Sequence, residues 1–369
     1  MQWIGDCNQN IYGGSGKPWT PGEDCLDLGG SKRFGHKTAA FASRLTMVRP
    51  QVISGEEGRD ALHSIFFFDR DTVGNVIPAY CAALAATDQF HGDAEIWAVA
   101  ARHKIPEEAR KAWPNSIGDY WPEYAHPKPY GERAGTLLGV LLEARHRTAA
   151  TGSPQEALSA FGSALFRFLQ ALGWKPHDAA RSQSALWQAL EAASPGSRLR
   201  MRTLLKSTLT TGLPIDADGW RRFAGPVADL AKDLTGARPD MGGFLAFEGH
   251  AAAHGGTDQN VHIWEEGGAR LKVRLGTIHS VKGQTHDATL VLETNEGQKM
   301  DVAGAVTTAF LGGERPKGKQ VTKALMNIFV GATRPRRALC LATRREAVDA
   351  DLEKAILAAG WSVHDLTVG

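Results

Sequence analysis

Two groups of short apolar runs bracket a long helical block, and this arrangement constrains the fold more than any other feature of the chain. Ahead of the block, "SIFFFD" and "AEIWAVAAR" are rich in aromatic and branched residues and read as buried strands. "HKTAAFASRL" has helical spacing through Ala40, Phe41 and Leu45, and the opening "MQWIGD" reads as a short strand running into a polar turn. Behind the block, "RLGTIHS" and "ATLVLET" flank the turn "VKGQTHD". "KALMNIFVGATRPRRALCLATRR" then reads as a helix followed by a strand, and "DADLEKAILAAGWSVHDL" as a helix and a short strand. Strands on both sides of a helical stretch predict an α/β domain with an all-helical insertion.

The block itself covers roughly residues 130 to 240. Leu137, Leu138, Leu141 and Leu142 share one face. Ser153-Pro154-Gln155-Glu156 is a capping box with proline at the first helical position. It leads into Leu158, Phe161, Leu165, Phe168, Leu169 and Leu172, again one face, and further helices are expected over 184–193 and 218–234. These stripes read as core. The proline-rich stretch 109–129 is irregular, and the glycine-rich stretch 242–268 reads as a linker or loop.

At 369 residues the chain has room for two or three structural units. A net charge of +2 neither demands a polyanionic partner nor excludes a local basic groove. The four cysteines, Cys7, Cys25, Cys81 and Cys340, form no CxxC pair, which removes zinc-ribbon and thioredoxin readings. Few cysteines and no secretory signal lead us to expect a cytoplasmic protein, and no run approaches the ~18 apolar residues of a membrane helix.

Gly14-Ser15-Gly16-Lys17 invites a phosphate-binding reading that its surroundings refuse. The first glycine of G-x-x-x-x-G-K-[ST] would be residue 11, which is Ile11, and the hydroxyl after the lysine is replaced by Pro18. Proline also lacks the N–H that helps cradle phosphate. No other stretch fits, and no apolar strand ends in Asp-Glu. There is no G-x-S-x-G elbow and no H-E-x-x-H, so unrelated hydrolase chemistry has no support.

Four stretches carry the functional signal, in one order. They are Gly5-Asp6-x-x-Gln9-x-Ile11-Tyr12; Ser31-Lys32-Arg33-Phe34; Thr277-Ile278-His279-Ser280-Val281-Lys282-Gly283 with Asp287 beyond; and Val330-Gly331-Ala332-Thr333-Arg334-Pro335-Arg336-Arg337. Together they resemble the superfamily 1 helicases of the UvrD/Rep type, from their third motif to their sixth. "TIHSVKG" with "THDATLVLET", and "VGATRPRRALCLA", are most similar to the UvrD-like helicases beside ATP-dependent, OLD-like endonucleases in Gabija-type anti-phage systems.

The resemblance implies a RecA-like, P-loop NTPase-like second lobe with a parallel sheet. It assigns 1–25 to the C-terminal edge of a first lobe, 26–130 and 246–369 to the second lobe, and 131–245 to a helical, 2B-like insertion. Such a motor holds ATP and Mg2+ between two lobes and meets the charge developing on the γ-phosphate with donors from both. The resemblance makes Gln9, Arg33 and Arg334 catalytic, with Arg334 as arginine finger, and adds Asp6, Gly283 and Gln284 as nucleotide-binding residues. Tyr12, Thr277, His279 and Lys282 would face single-stranded or forked DNA, with 3′-to-5′ movement.

The chain departs from that pattern. The ATP-binding lobe should precede the third motif, yet Met1 stands four residues before Gly5. The expectation is therefore a chain without ATPase activity alone, completed in cis or in trans by a lobe bearing a phosphate loop. Gly13, Gly14 and Ser15 stand where the family has a base-stacking segment, which puts that contact in question and leaves Trp19 as the candidate substitute, and Gln284 stands where a glutamate is frequent. Alone, each stretch has a blander reading. Asp6 and Gln9 would cap a turn, Arg33 would be a solvated cation, and His279 a structural residue. Arg334, Arg336 and Arg337 would be charges closing a helix. A second function class also stays open: a non-catalytic module that binds nucleic acid or docks on a nuclease.

Overall fold

A computed structural model of the protein describes residues 6–9, 11, 26, 28–103, 113–125, 136–142, 154–175, 183–210, 217–247, 260–296, 299–313 and 317–368. The expected opening strand, Tyr12, Lys17 and Trp19 lie outside them. The chain divides into two units, Met1–His126 with Asp258–Gly369, and Pro127–Thr257.

In the first unit the elements run α1 (His36–Arg44), β1 (Leu62–Phe68), α2 (Val76–Ala85), β2 (Ile96–Ala100) and a short α3 (Ile117–Tyr120). The second unit contributes helices α4 (Pro154–Ala171), α5 (Gln183–Ala193), α6 (Ser197–Thr210) and α7 (Ala217–Thr235), besides a helical stretch over 137–142. The first unit resumes with β3 (Val261–Glu266), β4 (Ala269–Thr277), β5 (His286–Leu292), and the two-residue strands β6 (Asn295–Glu296) and β7 (Lys299–Met300). It closes with α8 (Asp301–Phe310), α9 (Lys319–Ala332), β8 (Pro335–Arg344), α10 (Ala350–Ala358) and β9 (Ser362–Asp365).

Seven strands form one sheet in the order β3-β4-β2-β5-β8-β1-β9. All neighbours are parallel except β3 and β4. The protein is thus mixed α/β with a mostly parallel sheet. The uninterrupted apolar runs have a direct cause, because central parallel strands are covered on both faces. Along β1, Ile65 and Phe67 enter one core while Phe66 and Phe68 enter the other. Along β8, Leu339 and Leu341 alternate with Ala338, Cys340 and Ala342 in the same way. Helices α1, α8, α9 and α10 cover the first face, and α2 the second.

Three features differ from the sequence reading. The stretch 242–268 is not all loop, since β3 runs through it. β3 is a half-exposed edge strand with no apolar run to announce it. Its hairpin signal is the pair Gly267-Gly268, with φ of 58° and 83°, which suits a two-residue turn. The turn after β4 also joins strands that are not neighbours, because β2 lies between β4 and β5. Helices α2, α3, α6 and α8 were not anticipated; α3 lies inside the stretch 109–129 read as irregular, and α2 is apolar nearly all round and shows little helical periodicity.

The second unit buries its leucine, phenylalanine and tryptophan stripes in a core of its own, including Leu137, Phe161, Leu165, Trp187 and Trp220. α4 begins at the proline of the expected capping box, while Ser153 lies outside the described residues. Among the described residues no helix is long and apolar enough to cross a membrane.

Candidate functional site

A cleft of about 380 Å³ opens in the first unit, lined among others by Asp6, Gln9, Ser31, Arg33, Phe34 and Thr333. Three stretches far apart in the chain therefore share one wall.

The first stretch is a single 3-10 turn, Cys7–Gln9. Asp6 builds it by accepting the Asn8 backbone N–H (2.9 Å) and the Gln9 side-chain Nε2 (2.8 Å). The second bond fixes the direction of the Gln9 amide and leaves its Oε1 pointing at Arg334 Nη2, 3.5 Å away. Asn8, which the sequence reading passed over, anchors the turn. It is buried, donates to the Arg49 carbonyl (3.0 Å), and accepts from the backbone of Val48 and Arg49.

The second stretch leads into α1. Arg33 donates through Nη1 to the Thr333 carbonyl at 2.9 Å, so it reaches across to the segment between α9 and β8. Burial lowers its pKa, with the positive charge of Arg336 acting the same way.

The third stretch follows α9, and Arg334 is its centre. Its side chain is only 2% exposed. Nε donates to the Val330 carbonyl (2.8 Å), Nη1 to the Gln284 carbonyl (3.4 Å), and Nη2 to the Thr333 hydroxyl (2.9 Å). Val330 lies in the last turn of α9, where unpaired carbonyls and the helix dipole favour a cation. Among the described residues no carboxylate lies within ion-pair distance of Arg334. Burial therefore lowers its pKa to about 10, aided by Arg33 and opposed by Asp6. Thr333, also missed, joins the two arginines, since its carbonyl takes Arg33 and its hydroxyl takes Arg334.

The turn after β4 approaches the same place. Thr277 is buried and its hydroxyl accepts the Ser280 N–H (3.2 Å), so it shapes the turn. His279 Nε2 lies 3.3 Å from the Ile11 carbonyl and must donate to it, tying this turn to the one at 6–11. Lys282 is half-buried, and its pKa is lowered by burial and by Arg334 while Asp6 pulls the other way. Gly283 has φ +90°, which only glycine adopts freely. The Gln284 side chain turns inward, to the Ser280 carbonyl and to His286, and only its backbone carbonyl touches Arg334. Arg336 and Arg337 face Asp287 and Gln89, so they are not gathered with Arg334.

The cleft offers an anion the Arg33 guanidinium and the Ser31 hydroxyl, while Arg334, buried beside it, donates to Val330, Gln284 and Thr333. It fits a phosphoryl group. It does not fit Mg2+, because among the described residues Asp6 is the one carboxylate lining the cleft and both its oxygens are already accepting. No family model matches this chain, and no curated protein matches it.

Proposed function

We propose that the first unit acts as the second RecA-like lobe of an ATP-driven, UvrD-type motor moving 3′ to 5′ on DNA. The observation that carries this reading is a cleft lined by Asp6, Gln9 and Arg33, with Arg334 bonded to Gln9 and to the Gln284 carbonyl beside it, a buried guanidinium with no carboxylate within ion-pair distance among the described residues. A buried unpaired cation is costly unless an anion completes it.

In this reading ATP supplies the phosphoryl bond whose cleavage lets the lobes part. Arg33 and Arg334 hold the charge on the transferred group, and Gln9, aimed by Asp6, holds its hydrogen-bonding partner in place. Thr277 and Gly283 shape the turn that carries His279 and Lys282 toward a DNA strand, together with Tyr12. Phosphate contacts would dominate affinity, with strong salt dependence. A lobe with a phosphate loop, in cis or in trans, supplies the metal ligands that this cleft lacks. An ATP-dependent endonuclease is the partner the Gabija likeness suggests.

The experiment is an ATPase assay on single-stranded DNA, with the chain alone and with a phosphate-loop lobe added. The chain alone should be silent and the mixture active. Arg334→Ala should lower the mixture's turnover on the order of 10³-fold; undiminished turnover would sink the finger assignment. A second reading, a non-catalytic nucleic-acid-binding or nuclease-docking module, draws support from Arg334 spending its donors internally. Co-migration with an endonuclease at low salt, without turnover in any mixture, would favour it.

A further inference from the structure

His286 is the first residue of β5 and is fully enclosed. Its ring stacks on Trp97 with centroids 5.0 Å apart and planes 15° apart. Its hydrogen bonds can be assigned by elimination. The Ser280 carbonyl accepts from the Gln284 Nε2 at 3.0 Å, which fixes the orientation of that amide. Gln284 Oε1 is then the atom 3.3 Å from His286 Nε2, so Nε2 carries the hydrogen. Nδ1 is left bare and takes the hydroxyl hydrogen of Thr289 at 3.0 Å. The ring is a neutral donor–acceptor pair, and burial lowers its pKa to about 3, with Arg334 and Arg33 acting in the same direction.

The consequence reaches Arg334 by two short routes. The Gln284 amide, held at both ends, ties Ser280 to His286 across the reversal at Gly283 and presents the Gln284 carbonyl to Arg334 Nη1. The His286 backbone N–H also donates to the Arg334 carbonyl at 3.0 Å.

We propose that His286 is a positioning residue for Arg334: stacked on Trp97, it staples the Ser280–His286 turn through Gln284 and so fixes the carbonyl that holds the guanidinium. That this positioning serves an anion rests on the reading of the cleft given above. The positioning itself does not.

The test uses the ¹⁵N-labelled full chain and the Nη1–H signal of Arg334, the group that donates to the Gln284 carbonyl, identified by its loss in Arg334→Lys. Wild-type protein should exchange this hydrogen slowly. His286→Phe keeps an aromatic ring against Trp97 but removes both nitrogens, and exchange should quicken about tenfold, as for one lost charge-assisted hydrogen bond. Gln284→Ala should do the same, and the double variant should be no faster than either single one, because the two act in series. His286→Gln, which restores an N–H donor, should recover most of the protection. Unchanged exchange in His286→Phe, or effects that simply multiply in the double variant, would overturn the proposal. Should His286→Phe fail to fold, Gln284→Ala decides by itself, and unchanged exchange there overturns it. Adding inorganic pyrophosphate is the separate arm. A shift of the Arg334 signal supports the anion reading. Its absence alongside an intact His286 effect defeats that reading and leaves the positioning standing.

Discussion

Asp301 offers the sharpest stability test. It opens α8 and is fully buried, yet its carboxyl is well supplied with donors. Oδ1 accepts the backbone N–H of Thr294 and of Val302, and Oδ2 accepts the Thr294 hydroxyl, all at 2.8 Å. Burial nevertheless wins and, with the nearby Glu293, raises the pKa from 3.8 to about 7 against the pull of the Thr294 bonds. A folded-state value above the unfolded one means that the stability is fully present below about pH 3.8 and is lost as pH rises through about 7. At about 1.4 kcal/mol per pH unit between the two values, the loss totals about 4 kcal/mol. Asp301→Asn keeps the shape and an acceptor for both backbone donors but cannot ionise. Relative to wild type, the variant should therefore gain roughly 2–3 kcal/mol between pH 5 and pH 8. Urea unfolding at the two pH values, followed on amide signals of β5 and β8, measures the difference without mixing in the helical unit. A difference independent of pH, or one that moves against the variant as pH rises, would refute the reasoning.

Two glycines make contrasting predictions. At Gly55 an added Cβ would stand 2.2 Å from the carbonyl carbon and oxygen of Gly35, backbone against backbone. Gly55→Ala should cost about 3 kcal/mol or more and displace the segment entering α1, read as a large fall in melting temperature. At Gly283 nothing lies within 4 Å of the added carbon, so Gly283→Ala meets only the strain of φ +90°. Its cost should be about 1–2 kcal/mol, a fall of a few degrees, and a drop as large as that of Gly55→Ala would contradict the assignment.

Much of the architecture was legible because periodicity is local. Ile65, Phe66, Phe67 and Phe68 are apolar in succession because both faces of β1 are covered, and a run of that kind announces itself. The helical spacing of Phe161, Leu165 and Leu169 likewise needs no partner to be seen. β3 carries only a short mixed run, Val261-His262-Ile263-Trp264 followed by two glutamates, none of it fully buried at the sheet edge, and its Gly267-Gly268 turn is the local signal for it. The candidate cleft stands between these cases. Gln9, Arg33 and Arg334 stood out as residue types in an ordered pattern. Asn8, Thr333 and His286 carried no such mark, since their roles lie in contacts with segments distant in the chain or in bonds to a neighbouring backbone.

Local spacing, then, sufficed for many of the strands and helices of a mixed α/β chain. It was silent on β2 entering between β4 and β5, and on residues 9 and 334 coming within one long hydrogen bond. It was equally silent on the burial of Arg334 with no carboxylate within ion-pair distance among the described residues. Those features depend on which strand ends lie side by side, and only packing across hundreds of residues sets that.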